Sequence, residues 1–487
     1  MRFNFPHNSY LVFFIFCIFY HLYYSFSQKT CFAFEPDNIN HFESKKNSYK
    51  FSFEGFVEFE NFINIHKNHD FTDVPKKNEI RCNFRLKYGI KNLYLFSEPN
   101  VYLLLSDNRF KKTFGYNDKT KIFKNIRYAS KSYEIVFDEM YLHYEKENFR
   151  IRIGNQIFRW GTGDVFNPTA FFNPLDSREI FFKDEDEYKV GVLSLSGMVF
   201  FDDYTLEIVF APFHISGTMA QNGNFWYITP DNYKLPVFID KPCSLGNKTS
   251  NFSYGARISK NFSGKDISLS LYHGPDKEYL FLPAKTALIP NSPVTVLIEP
   301  ATYVISSIGL DYSMSLHNFV VQIEAAYSPN KKGFLKQSLH DTKTISFPFK
   351  TVNSGYISYT AGFNYFIPLY NIWKNHGGDT IFTFEWYQSK YFKKNLSKPL
   401  LTDIVLCRLE YNFFNNYFIL SFTSIIDTQK KGHLFWPKIS LNFSNSCNVE
   451  LAYAKIDGKI SSLEKPESLF YYLKDNDILI LKFRYNF

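Results

Sequence analysis

No stretch of about 18 or more apolar residues follows Tyr20, so a bundle of membrane-crossing helices is excluded. Cysteine is scarce: 6 among 487 residues, with no C-x-x-C pair and no metal-ligand spacing. If a leader is removed, Cys82, Cys243, Cys407 and Cys447 are left, with Cys31 depending on the cut; isolated thiols on strands are the favoured reading, and one disulfide in an extracellular loop is the alternative. Catalytic signatures are missing too: there is no G-x-S-x-G elbow, H-E-x-x-H, Walker loop or dinucleotide fingerprint. His143 and His273 sit on strand-like segments and His214, His317 and His433 in or near loops, none with a Ser and an acid at a recognisable local spacing, so no catalytic residue is assigned and the chain is not read as an enzyme. The acidic run Asp184-Glu185-Asp186-Glu187 lacks the spaced ligands and turn glycine of a calcium loop, so it reads as a solvated loop, and neither metal nor cofactor is expected. Also lacking is a Lys/Arg stripe: the net charge of +8 (55 cations against 47 anions) is spread thinly, which argues against nucleic acid and for cations that line a pore or meet anionic lipid headgroups.

What the chain does have is rings. Aromatic residues make up 20% of it, with 56 Phe and 35 Tyr, although the mean hydropathy is only −0.25. A soluble protein would have to bury them, whereas a barrel displays them to lipid and at two interfacial girdles. An AT-rich genome would explain the number of Phe but not their period-2 alternation. Phe51, Phe53, Val57 and Phe59 alternate with Ser52, Glu54, Glu58 and Glu60, Phe56 alone breaking the polar side. Phe319, Val321, Ile323 and Ala325 face away from Gln322 and Glu324; Ile381, Thr383 and Glu385 from Phe382, Phe384 and Trp386; Ile439, Leu441 and Phe443 from Ser440, Asn442 and Ser444. At the carboxy-terminus Leu479, Leu481, Phe483, Tyr485 and Phe487 share one side and Lys482, Arg484 and Asn486 the other, as the closing strand of an outer-membrane barrel requires; Tyr485 and Phe487 are the candidate assembly signal.

The fold expected is all-β, a single transmembrane antiparallel β-barrel of about 16 to 18 strands, at roughly 26 residues per strand and connection. A soluble sandwich is the competing architecture, but no linker or composition shift marks the several cores it would need. Residues 1–33 read as a signal peptide, with Arg2, the run Leu11 to Tyr20 and two small-x-small cleavage points, an uncleaved anchor being the alternative; residues 34–487 read as the barrel. Gly264-Lys265-Asp266 is a tight hairpin candidate. Ala211 to Asn251, Gly274 to Thr302 and Ser328 to Asn353 fit long extracellular loops.

The densest constellation runs from Arg150 to Asp176. Its first half places Arg150, Arg152, Gly154 and Gln156 toward the lumen and Phe149, Ile151 and Ile153 toward lipid, because an Arg facing hydrocarbon costs roughly 2–4 kcal/mol at the midplane. Gly161, Gly163 and two Asn-Pro pairs then stop the ladder and turn the chain inward or over the rim. The order R-x-G-x-Q-x-x-x-W-G, then D and N-P-x-D, is carried by Arg152, Gly154, Gln156, Trp160, Gly161, Asp164, Asn173, Pro174 and Asp176. It resembles the signature of a large, poorly characterised proteobacterial family of porin-like outer-membrane barrels, distantly similar to the alginate-export barrels. That resemblance implies an outer-membrane channel and allows for an inner-membrane or periplasmic export partner and an apolar or polymeric substrate.

The pore-lining or constriction candidates are Arg150, Arg152, Gln156, Arg159, Asp164, Asp176 and Arg178, and Gly154, Trp160, Gly161, Asn173 and Pro174 are candidates for shaping the motif. With Glu179, Lys183 and the run Asp184 to Glu187 they would give a constriction of both charge signs; alternatively these charges pair to hold an inward-folded loop against the wall. The function expected is a porin-like channel in the bacterial outer membrane, with lipid and the barrel-assembly machinery as partners. The alternatives are a surface-exposed adhesin or structural barrel with a plugged lumen, and an outer-membrane hydrolase.

Overall fold

Alternation at period 2 gives every strand one face for lipid and one for the interior, and such strands leave no unpaired edge only when the sheet closes on itself. The computed structural model describes residues 49–65, 77–105, 127–129, 133–179, 182–183, 187–220, 226–227, 237–239, 245, 248–287, 295–335, 349–369, 380–397, 399, 401–458, 468–474 and 476–487. The expected leader, Cys31, Cys243 and Asp184 to Asp186 lie outside them.

Closure is what the described strands achieve. The first six barrel strands are β1 (Lys50–Asn64), β2 (Lys77–Ile90), β3 (Leu93–Leu104), β4 (Tyr133–Lys146), β5 (Phe149–Gln156) and β6 (Val192–Phe201). Then follow β7 (Tyr204–Ala211), β8 (Ser253–Phe262), β9 (Lys265–Pro275), β10 (Val304–Leu316), β11 (Phe319–Phe334) and β12 (Thr351–Ile367). The circuit is completed by β13 (Thr380–Tyr391), β14 (Asp403–Phe413), β15 (Phe418–Asp427), β16 (Gly432–Ser444), β17 (Cys447–Gly458) and β18 (Ile478–Asn486). Each pairs antiparallel with its sequence neighbours, and β18 pairs with β1 from Phe56↔Asn486 to Asn64↔Ile478. The result is a closed barrel of 18 strands, which removes the sandwich from consideration.

At the seam the carboxy-terminal residue is locked in: Phe487 exchanges backbone hydrogen bonds with Gly55 (3.0 and 2.9 Å), and its ring packs against Phe53 and Phe84. Phe51, Phe53, Ile153, Leu195, Ile208, Leu271, Leu310, Ile323, Leu481 and Phe483 are exposed on the outside. A closed barrel with an apolar exterior sits in an outer membrane, where such residues meet lipid at no solvation cost. Phe56, which breaks the alternation of β1, lies on the inner face, where its ring supports the guanidinium groups of Arg484 (4.2 Å) and Arg81 (5.1 Å).

One rim carries short turns, 147–148, 202–203, 263–264 and 317–318 among them, and the other carries the longer connections. The hairpin expected at Gly264-Lys265-Asp266 turns one position earlier: Ser263 and Gly264 both have positive φ (48° and 77°), a type I′ pattern, and Lys265 and Asp266 already belong to β9. The loop expected from Ser328 to Asn353 is shorter, because β11 continues to Phe334 and β12 starts at Thr351. Within the connection after β9, Leu280–Ala287 and Thr295–Ala301 form a hairpin joined in parallel by Val237–Ile239. Cys82, Cys407 and Cys447 are free thiols.

Candidate functional site

The chain between β5 and β6, residues 157–191, does not simply cross the rim. Its neck is stapled by Asn173, whose Oδ1 accepts from Phe158 N–H (2.7 Å) and whose Nδ2 donates to the carbonyls of Gln156 (3.0 Å) and Val190 (2.9 Å). Pro174 supports the same neck, its carbonyl accepting from Val190 N–H (2.8 Å). From there the segment reaches the opposite wall. Glu324 on β11 accepts the backbone N–H groups of Thr162, Gly163 and Thr169 together with the Thr169 hydroxyl. Glu385 on β13 accepts those of Val165 and Phe166, both at 3.0 Å. Asn364 donates to Asp164 (2.9 Å) and the Thr360 hydroxyl to the Phe166 carbonyl (2.9 Å). Two buried carboxylates thus act as anchors for orphan backbone donors, the kind of hydrogen bond that charge strengthens most.

Gly161 is required at this contact. Its φ of +105° disfavours any side chain, and a Cβ there would stand 2.6 Å from Asn167 Oδ1 and 2.8 Å from Glu324 Oε1. Trp160 turns the other way: its Nε1 donates to Glu207 on β7 (2.7 Å) and its ring meets Phe172 edge-on. Farther along, the segment reaches the seam. Glu179 pairs with Lys77 on β2 (2.8 Å), and Glu187 pairs with Arg81 (2.6 Å) and lies 3.7 Å from Arg484. Burial raises the Glu187 carboxyl, but Arg81 and Lys482 outweigh it and hold the group at about 2. Asp176 and Arg178 bond each other, and Arg178 reaches Glu134 (3.2 Å).

Between these anchors the inner wall is apolar. Phe158, Trp160, Phe171 and Phe172 pack on Val209, Tyr272 and Ile305. On the seam side Phe62, Ile404, Leu434, Ile478 and Ile480 enclose Phe182 and Trp226 together with Leu469 and Phe470. Nearer the short-turn rim the wall is charged instead. There Arg150 pairs with Glu145 (2.9 Å), and Arg152 donates to His143 Nδ1 (3.2 Å) while His143 Nε2 lies 3.0 Å from Glu145. The imidazole thus bridges the Arg152 guanidinium and the Glu145 carboxylate.

The segment expected to shape the lumen does turn inward, but its residues divide. Arg150, Arg152 and Asp164 are half-buried on the interior and Arg159 is exposed. Gln156, Asp176 and Arg178 are buried and face no water, because neighbouring polar groups occupy them: Gln156 donates to Ser194 and accepts from Ser196 (2.7 Å). Trp160, Gly161, Asn173 and Pro174 lie in or against the neck and the crossing, whereas Gly154 stays within β5, where a Cβ would stand 2.3 Å from the Met140 carbonyl oxygen on β4. The sequence alone did not single out Glu207, Glu324 or Glu385 as anchors. Glu324 and Glu385 are legible as interior-facing positions, but their partners are backbone amides more than 150 residues away, which leave no mark in the sequence.

No protein-family model and no curated protein matches this chain. Solved structures do. OccAB3 of Acinetobacter baumannii is 11% identical, over 90% of this chain and 99% of that one, at a TM-score of 0.47. The outer membrane channel DcaP of the same organism is 10% identical, over 92% and 100%, at 0.41. Salmonella typhi OmpF, in a complex with daunomycin, is 9% identical, over 91% and 98%, at 0.42.

Proposed function

We propose that the protein is a porin-like outer-membrane channel whose passage is set by the segment 157–191. The observation that carries this reading is the double fastening of that segment inside a closed barrel, to Glu324 and Glu385 on one wall and to Lys77 and Arg81 on the other. A chain held across the interior from both sides narrows it at a defined place, and the charged wall below it is built for water and ions. In this reading Arg150, Arg152, Arg159 and Asp164 line the passage, while Gln156, Asp176 and Arg178 hold the segment in shape. Tyr485 and Phe487 form the signal for the barrel-assembly machinery, and a periplasmic or inner-membrane export partner belongs to the same proposal.

Reconstitution in planar bilayers tests it. The purified protein is expected to give stepwise ion current, and Glu324→Ala with Glu385→Ala to raise the unit conductance by loosening the segment. The apolar packing of Phe62, Phe182, Trp226 and Ile478 inside the barrel favours a second reading, a barrel closed at rest. Current from the double variant but not from the parent would select that reading. Silence from both would remove the channel and leave a structural or adhesive barrel.

A further inference from the structure

We propose that the outer face of β11 to β13, where these strands reach the long-loop rim, is a docking site for the phosphorylated glycolipid of the outer leaflet. The inference goes beyond the channel reading and stands or falls independently of it. It starts from four lysines gathered on one patch of wall. Lys332 lies near the end of β11 and Lys390 near the end of β13, while Lys350 stands just before β12 and Lys393 just after β13. Lys350, Lys390 and Lys393 are exposed and Lys332 is half-buried. Register puts Lys332 opposite Asn353, whose carbonyl accepts from Lys393 Nζ (2.8 Å), so the ends of three neighbouring strands meet at one level. Lys332 itself rests over the Tyr303 ring at 4.3 Å. Its neighbour Lys331 turns the other way, into the interior, where it is buried and pairs with Asp276 and Glu278.

That contrast carries the inference. Inward cations of the wall are matched to carboxylates, whereas none of these four outward lysines forms an ion pair among the described residues. Asp403, at the corresponding end of β14, is occupied by Trp386 Nε1 (2.8 Å). Toward the midplane from Lys332 and Asn353 the same face turns aromatic. Tyr327 and Phe392 stack at 5.7 Å across Gly355, where a Cβ would stand 3.0 Å from the Phe392 ring, and Tyr359 meets Trp386 edge-on at 5.5 Å. Such rings settle at the boundary between acyl chains and headgroups, and lysines beside and beyond them extend their ammonium groups into the headgroup layer. Short turns belong to the periplasmic rim and long connections to the outside, so the headgroups met here are those of the outer leaflet. An ammonium on a flexible stem is a point-charge partner for phosphate, and four of them without an acid attract a phosphorylated sugar headgroup over a zwitterionic one.

Native mass spectrometry of the full-length protein, released from detergent micelles doped with diphosphoryl lipid A, tests this directly. The parent is expected to retain that lipid, and to hold phosphatidylglycerol or dephosphorylated lipid A several-fold less. Lys332→Glu, Lys390→Glu and Lys393→Glu together should lower the retained fraction tenfold or more. Lys260→Glu, which removes an outward lysine beside the Phe262 ring at the opposite rim, should leave it unchanged. Heat-modifiable migration checks that each variant is folded. Lys393→Gln alone, outside the strands, should give a smaller loss in the same direction and covers a triple variant that does not fold. Equal retention by parent and variants, or equal retention of the phosphorylated and dephosphorylated lipids or of phosphatidylglycerol, overturns the inference. So does a dimer that the triple variant splits with no lipid A held, which would make the patch an interface between two copies. None of these readings depends on whether the barrel conducts.

Discussion

At the scale of single residues, the interior is organised by carboxylates that receive backbone amides. Glu324 collects three N–H groups and a hydroxyl from one inward segment, and Glu385 two more. Removing either acid leaves several buried donors without an acceptor, at a cost of about 1–3 kcal/mol for each group left unsatisfied. Glu324→Ala is accordingly expected to make the stretch from Gly161 to Thr169 a new site of limited proteolysis in detergent, with the barrel strands still protected; unchanged protection would show that the anchor does not hold the segment. Gly55 is the other residue on which much turns. A Cβ there would lie 2.2 Å from the Asn83 carbonyl oxygen and 3.1 Å from the Phe487 ring. Gly55→Ala should therefore reduce the heat-resistant folded fraction on gels and slow its formation, whereas Gly197→Ala, on β6 with nothing within 4 Å of the added carbon, should cost far less. Neither role is legible in the sequence. The alternation of β1 shows which side Gly55 shares with Phe53 and Val57, but the closeness of its neighbour depends on a register fixed only by closure.

Among the elements, the inward segment and the connection after β7 carry two fastenings that acid undoes at different pH. Burial holds His214 at about 4, well below the usual imidazole value of 6.5, and its Nδ1 accepts from Leu245 N–H (2.9 Å). A base whose pKa is lowered by folding contributes stability above the unfolded value and loses it as pH falls toward the folded one, so this contact weakens between about 6.5 and 4. Glu187, held at about 2 against an ordinary 4.5, follows the same sign at lower pH: its pairing with Arg81 is complete above about 4.5 and lost on the way to 2. Hydrogen exchange at stepped pH should then show the stretch around His214 opening first and the seam contact of Glu187 only in stronger acid. His214→Gln should remove the first step and keep the second. Simultaneous opening at one pH would mean that the two elements share a single fastening. The inward turn itself was legible from Gly161, Gly163 and the Asn-Pro steps. Its docking points were not, since Lys77, Arg81, Glu324 and Glu385 meet partners in it that lie more than 100 residues away along the chain.

For the whole molecule, one physical condition accounts for both what could be read in advance and what could not. The barrel and its antiparallel order follow from alternation, because lipid imposes the same requirement on every strand and the pattern therefore repeats wherever the chain crosses, whereas the length per strand bounds the strand number only to about 16 to 18. Phe56 shows the limit of that rule: an aromatic on the inner face looks like an error in the pattern until Arg81 and Arg484 are seen to stack on it. The interior obeys no repeating rule, since each inward side chain is matched to a different partner. The two faces should consequently respond to the same charge in opposite ways. Leu310 is exposed to lipid midway along β10, and Leu310→Arg is expected to cost roughly 2–4 kcal/mol by placing a guanidinium in hydrocarbon. Asn83→Arg would fail for a different reason, since that buried position is bonded to Glu98 and Asn100 and does not meet lipid. Moving the proteins from thick to thin bilayers separates the causes: thinning lets an outward arginine reach the interface and should restore much of the lost stability of the Leu310 variant. It offers no such escape to an inward one, so equal recovery of both would mean that the faces have been assigned the wrong way round.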